Sequence, residues 1–369
     1  MGSLSTSWTA RARVVLGPSS SPRRRPSATF CTTTGSHSRV CPVDHLPQGP
    51  KDRPPAVGPP QPRYRRAVQQ PELAGSVRDR FSVTNDDLLG FGGEAAIYAL
   101  NEDHVVRCYR AGTDRRRVEV RAGFYHGIAR SALPFQMPLV ESIEVVDGSL
   151  CSIEERIPGT SLTTALGALD GTERTRALTN YATAVEHIQS VALDDREFGE
   201  LLADAPIKRR AWPAFLVDRA ERALVAGQRV MKADVPQLDD VLAAFREGTA
   251  RVSDVVEPRL VHGDYFPGNV MVDERGGVTG ILDFSPLTIA GDPRLDLAGA
   301  LIFLEVVAPY RPDDSTIVED VITARHGHAV TTVIELYRIY YSLYFSATKE
   351  FDPELYRWCV NNLTKRPAT

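Results

Sequence analysis

The sequence predicts an α+β fold in two lobes, a small β-rich lobe followed by a large, mainly helical one. Three observations carry that expectation. Short strand-like runs separated by turn residues fill the stretch from about residue 81 to residue 156. Helical periodicity takes over after Pro158-Gly159, and a strand-rich patch at 259–284 is embedded in it. Strands grouped first and helices grouped after them, rather than in alternation, place the sheet at one end of the molecule.

Residues 1–70 stand apart. They hold eleven of the 26 prolines, with runs such as Arg23-Arg24-Arg25 and Pro59-Pro60-Gln61-Pro62 and no apolar periodicity, so they read as a disordered Arg/Pro/Ser-rich segment. The acid-poor stretch before Asp44 has the composition of a transit peptide, though it lacks an amphipathic helix. A translation start nearer Val68 or Val77 is the competing expectation.

The first lobe is expected over 81–157. Runs 95–100 and 104–109 pair across Asn101-Glu102-Asp103, 113–130 reads as a helix with an Arg-rich exposed face, and 139–146 pairs with 150–156 across Asp147-Gly148. The second lobe is expected over 158–363. Its helices fall at 162–169, 171–192, 212–230 and 236–254, with more from about 294 onward. Between them, 270–272 and 278–282 form a hairpin around Gly276-Gly277.

Composition narrows the function classes. Residues 1–70 carry eleven of the 43 basic residues and two of the 47 acidic ones, about +9, which leaves about −13 on the remainder. An acidic body argues against a nucleic-acid surface; it either favours cationic small-molecule partners or is plain solubilisation. The five cysteines are scattered with no CxxC, so neither a disulfide framework nor a zinc site is expected, and a reducing cytoplasm is the default location. The longest apolar run, 297–304, ends at Glu305 and is too short to span a membrane. Nothing in the sequence signals an obligate protein partner.

The strongest local signal is His262-Gly263-Asp264-Tyr265-Phe266-Pro267-Gly268-Asn269, followed fourteen residues after Asn269 by Asp283-Phe284-Ser285. Phosphoryl transfer asks a protein mainly for positioning and for neutralisation of phosphate charge. A carboxylate must face the acceptor hydroxyl, and oxygen ligands must hold Mg²⁺ between phosphates. An Asp and an Asn five residues apart on one loop can point into one cleft. The intervening hairpin then returns a second Asp to it.

On these residues the chain resembles the aminoglycoside phosphotransferase-like family of small-molecule kinases over roughly 85–350, HGDxxxxN followed by an ILDF segment being the most specific part. The resemblance implies a bilobal protein-kinase-like fold that binds ATP and Mg²⁺ and phosphorylates a hydroxyl of a small molecule, such as an aminoglycoside, another antibiotic or a metabolite. It also implies Asp264 as catalytic base, Asn269 and Asp283 as Mg²⁺ ligands, and His262 as a structural support of the loop. Gly263 and Ser285 differ from the Arg and Gly of protein kinases and fit the small-molecule branch.

Further positions follow from the same resemblance. Asp292 and Asp296, in Gly291-Asp292-Pro293-Arg294-Leu295-Asp296, are expected as helix caps, with Asp296 buttressing the catalytic loop. Gly92 and Gly93 lie in a glycine-rich turn whose backbone N–H groups can approach phosphates. Arg107 stands where the fold places its phosphate-gripping Lys, with Glu119 on the following helix as its expected ion-pair partner, and 153–159 fits the hinge between lobes.

The acceptor side is less defined. Asp194, Asp195, Glu197, Glu200 and Asp204 supply acids, while Tyr337, Tyr340, Tyr341 and Tyr344 share one helical face, either a core stripe or an aromatic wall for a substrate. The competing functional class is a catalytically inactive kinase-fold protein that binds nucleotide or serves as a scaffold. A protein substrate is disfavoured, since no activation segment ending in Ala-Pro-Glu follows Asp283.

Overall fold

A computed structural model describes residues 73–365 apart from Gly93, residues 194–195 and residues 307–309. The Arg/Pro/Ser-rich segment 1–70 therefore lies outside the described residues, as do Gly93, Asp194 and Asp195.

The first lobe opens with helix α1 (Gly75–Phe81) and continues through strands β1 (Leu88–Phe91), β2 (Ala95–Ala99) and β3 (His104–Tyr109), helix α2 (Arg115–Ile128), and strands β4 (Val140–Val146) and β5 (Ser149–Glu155). The strands form one antiparallel sheet in the order β1-β2-β3-β5-β4. Asp147 and Gly148, at φ 48° and 80°, make the tight turn between β4 and β5 that the Asp-Gly pair predicts. Strand alternation gives the sheet two faces. Tyr98, Val106 and Cys151 pack on Val77 and Phe81 of α1, while Ala95, Tyr109 and Leu150 pack on Val118 of α2.

The second lobe contains β6 (Thr160–Ser161), α3 (Leu162–Leu166), α4 (Gly171–Gln189), β7 (Phe198–Glu200), β8 (Lys208–Arg209), α5 (Trp212–Asp234) and α6 (Leu238–Gly248). Then come β9 (Arg259–Val261), β10 (Val270–Val272), β11 (Val278–Ile281), β12 (Ile289–Gly291), α7 (Arg294–Ile302), α8 (Pro312–His326), α9 (Ala329–Tyr344) and α10 (Pro353–Lys365). Two small sheets, β11-β10-β6 and β8-β7-β12-β9, are set among the helices. A large apolar core including Leu178, Trp212, Phe215, Leu297 and Ile334 holds them, each such buried side chain contributing roughly 1.5–3 kcal/mol.

The lobes meet at two places that position the site. Gln136, between α2 and β4, accepts from Ile281 N–H at 3.1 Å and donates its own N–H to Thr279 O at 2.8 Å, so it extends the β10–β11 hairpin. Gly159, at φ +105°, lies where a Cβ would sit 2.3 Å from Val272 O, so only glycine lets the crossover lie on that hairpin.

Three expectations need correction. The first lobe begins at α1, ahead of residue 81, because Val77 and Phe81 one turn apart bury a short helix on the sheet. Residues just ahead of the glycine-rich turn, given no strand in the sequence reading, form β1 (Leu88–Phe91), whose pairing with β2 extends the sheet. Strands β7, β8 and β12 were not expected, being two or three residues long and below the reach of a period-two pattern.

Candidate active site

The loop 262–269 leaves β9 and is fixed from several sides. Gly263 has φ +80°, and a Cβ there would lie 2.1 Å from Leu287 O, which no relaxation of a backbone carbonyl absorbs cheaply. This packing explains glycine at that position. His262 is fully buried; its Nδ1 accepts Asp264 N–H at 3.2 Å, so the ring proton sits on Nε2 and donates to Leu282 O at 2.7 Å. Burial pushes the imidazole down to about 4, which keeps it neutral in this role.

Asp296, on the first turn of α7, accepts His262 N–H at 2.6 Å and Gly263 N–H at 2.8 Å with its two oxygens. Both bonds run to the loop, and its side chain makes no cap hydrogen bond to its own helix. Burial pushes its carboxyl up to about 7 against the pull of these two donors. Asp292 accepts the N–H of Arg294, first residue of α7, at 2.9 Å, and it also accepts from Tyr337 Oη. Tyr341 Oη donates to Gly263 O at 3.2 Å. The tyrosine face of α9 is thus a core stripe: Tyr337, Tyr340 and Tyr341 are buried, and two of them hold the parts that carry the loop.

Asp264 is 8% exposed at the top of this loop. Five residues on, a 3-10 turn (Pro267–Asn269) folds Asn269 back so that Nδ2 donates to Asp264 O at 3.0 Å. That bond directs the amide nitrogen inward and leaves Oδ1 as the atom able to meet a cation. Asn269 O accepts Leu282 N–H at 2.8 Å, which brings the neighbouring Asp283 beside the loop. Asp283 has φ 59°, a left-handed conformation that costs a non-glycine residue about 1–3 kcal/mol and is retained mostly where function demands it. The next residue, Phe284, is buried against His262 and Tyr125, with ring centroids at 4.4 Å and 6.0 Å.

Across from this loop, Arg107 on β3 donates from Nη1 to Asp283 Oδ1 at 3.5 Å. Its Nε is 2.9 Å and 3.1 Å from the two oxygens of Glu154 on β5. Burial works against the charge, but Glu154 and Asp283 hold the guanidinium well above its usual range, so it stays a cation. The expected Glu119 pairing is corrected. Glu119 is exposed and accepts Arg115 Nε at 2.7 Å, because Val118, Tyr125 and Ile128 define the inward face of α2 and Glu119 is turned away from it.

Other expected positions are placed as follows. Gly92 donates its N–H to Ala95 O at 2.9 Å and so closes the β1–β2 turn. Glu200 is buried in an ion pair with Arg219 at 2.9 Å, a structural role. Asp204 accepts Arg117 Nε of α2 at 2.8 Å, an exposed link between the lobes. Glu154 and Arg121 are the residues sequence reasoning missed. Glu154 lay inside the stretch read as a hinge, and only the register that pairs Arg107 with Ser152 puts it on the same sheet face as the arginine.

The donor set suits a hard cation. Asn269 Oδ1 and the Asp283 carboxylate are oxygen ligands of the kind Mg²⁺ takes, with phosphate oxygens and water completing the shell. Among the described residues no three His, Cys, Asp or Glu side chains cluster as a ready-made metal site.

A family model described as the phosphotransferase enzyme family matches residues 88–331, a span that contains every site residue from Gly92 to Asp296. Among solved structures, the gentamicin complex of APH(2″)-IIa superposes with a TM-score of 0.56 at 17% identity, covering 81% of this chain and 98% of that one. ADP-bound APH(2″)-Ib gives 0.53 at 17% identity over 76% and 92%, and the GDP complex of wild-type aminoglycoside 2′-phosphotransferase-IIIa gives 0.55 at 14% over 78% and 95%. These likenesses show the fold, the kinase-like architecture of the aminoglycoside phosphotransferases. No curated protein matches the chain. No helix among the described residues is long and apolar enough to cross a membrane.

Proposed function

Since the chain belongs to the phosphotransferase enzyme family, we propose that it transfers the γ-phosphate of ATP to a hydroxyl of a small molecule, with an aminoglycoside, another antibiotic or a hydroxylated metabolite as acceptor. The observation that carries this is the convergence of Asp264, Asn269 and Asp283 on one loop–hairpin unit facing Arg107. The solved relatives bind ATP, ADP or GDP, and some bind aminoglycosides, which supports the same ligand classes here.

In this mechanism Asp264 orients the acceptor hydroxyl and takes its proton as the oxygen–phosphorus bond forms. The bond from the γ-phosphorus to the bridging oxygen breaks, and ADP leaves with the electron pair. Asn269 and Asp283 would hold Mg²⁺, which would neutralise phosphate charge there. Arg107 supplies a permanent cation to the same phosphates, and its Nη2 forms no hydrogen bond among the described residues. His262 and Asp296 keep the loop in place without touching the reacting atoms.

The test is nucleotide binding with and without the metal. ATP binding by the wild type is expected to weaken about tenfold or more, ~1.4 kcal/mol, when EDTA removes Mg²⁺, since the phosphate charge then faces the Asp283 carboxylate without a cation between them. Asp283→Asn is expected to bind equally weakly in both conditions. ATP affinity that ignores both EDTA and Asp283→Asn would remove Asp283 from the metal site.

A further inference from the structure

Arg107 sits in a hydrogen-bond chain that starts beside the glycine-rich turn at Glu94 and ends at Asp283. Arg121 on α2 donates to Glu94 Oε2 at 2.8 Å and to Tyr109 Oη at 2.9 Å. Tyr109 Oη and Ser152 Oγ are 3.0 Å apart, and Ser152 Oγ donates to Glu154 Oε1 at 2.7 Å. The donors are forced into one direction. Arg121 can only donate, so Tyr109 accepts from it and passes its own proton toward Ser152, whose proton is committed to Glu154. Glu154 receives that chain from one side and Arg107 Nε from the other, while Arg107 Nη1 reaches on to Asp283 at 3.5 Å.

The geometry brings these groups together because they share a sheet face. Arg107 and Tyr109 alternate along β3, Ser152 and Glu154 alternate along β5, and Arg107 pairs with Ser152 in the β3–β5 register. Glu154 is 3% exposed, and among the described residues its ion-pair partner is Arg107. In a low-dielectric site such a directional chain strengthens each bond in it.

Resting on the nucleotide reading above, we infer that Glu154 is the positioning residue for the phosphate-gripping cation: the ion pair that orients Arg107 comes from β5, and α2 acts on it only through Arg121, Tyr109 and Ser152. Glu119, the acid that helix α2 offers, has no part in it. The consequence is local to the phosphates. A change at Glu154 lets Arg107 swing toward Asp283 or away from the cleft, which alters triphosphate binding without altering contacts to the nucleoside.

The experiment is calorimetric or fluorescence titration of the full chain with ATP plus Mg²⁺ and, separately, with adenosine. Glu154→Gln is expected to weaken ATP about tenfold or more, the scale of a lost charge-assisted hydrogen bond, and to leave adenosine unchanged. Glu119→Gln is expected to bind both like the wild type. Tyr109→Phe, which keeps the ring and removes only the hydroxyl, covers the case in which Glu154→Gln fails to fold; it is expected to weaken ATP about threefold. The inference is overturned if Glu154→Gln and Tyr109→Phe bind ATP like the wild type, if ATP and adenosine weaken equally, or if Glu119→Gln shows the loss instead. Failure of the wild type to bind ATP with Mg²⁺ overturns the nucleotide reading and this inference together, which separates the two outcomes.

Discussion

Replacing Asp264 by Ala is expected to lower kcat by about 10²–10⁴, the usual contribution of a positioned general base. Nucleotide affinity should change little, because the proposed function assigns the phosphate side of the cleft to Asn269, Asp283 and Arg107. The fold should survive as well. What anchors the loop is backbone and neighbours: Asp264 N–H donates to His262 Nδ1, Asp264 O accepts from Asn269 Nδ2, and Asp296 holds the two residues before it. Steady-state kinetics with saturating ATP read the loss directly, and turnover within a few-fold of wild type would remove Asp264 from the base role.

The second large effect belongs to a residue that touches no reacting atom. Asp296→Ala leaves the buried N–H groups of His262 and Gly263 without acceptors. Each orphaned donor costs about 1–3 kcal/mol, so denaturant titration should show a loss of about 2–6 kcal/mol. That is a large fraction of the ~5–15 kcal/mol by which single domains are stable. Activity should fall along with stability, since the loop carrying Asp264 loses its floor. A loss under about 0.5 kcal/mol, the scale of an ordinary surface substitution, would contradict the buttressing role. Asp296→Asn, which keeps one acceptor oxygen, should fall between Ala and wild type.

Much of this site is local in the chain, which is why the sequence displays it. His262 to Asn269 is one loop, and the β10–β11 hairpin that returns Asp283 is announced by Gly276-Gly277. The family resemblance also singled out Asp296, whose carboxylate accepts the N–H groups of His262 and Gly263. The partner of Arg107 was not legible. Helix phase turns Glu119 to solvent while sheet register turns Glu154 inward, and neither is fixed by a motif. The tyrosines of α9 illustrate the same limit. Their spacing defines a face, but only the packing shows that Tyr341 reaches Gly263 O rather than lining an open pocket. Short strands such as β7 and β12 owe their existence to each other and to β9, not to any pattern of their own.

The acidic balance of the residues after the first 70 has a simple physical reading among the described residues. Several of its acids are engaged with arginines, as in Glu200 with Arg219 and Glu154 with Arg107, so an acidic total does not by itself make an acidic binding surface. The acceptor therefore has to be found by experiment.

The most direct measurement is mass spectrometry of a panel of hydroxylated acceptors, aminoglycosides among them, after incubation with Mg²⁺ and ATP or GTP. The account predicts that the wild type adds the mass of one phosphoryl group to at least one acceptor, with matching nucleoside diphosphate, and that Asp264→Ala adds none. Tight Mg²⁺-dependent nucleotide binding with no mass gain on any acceptor would contradict it and identify a kinase-fold binding protein without catalysis.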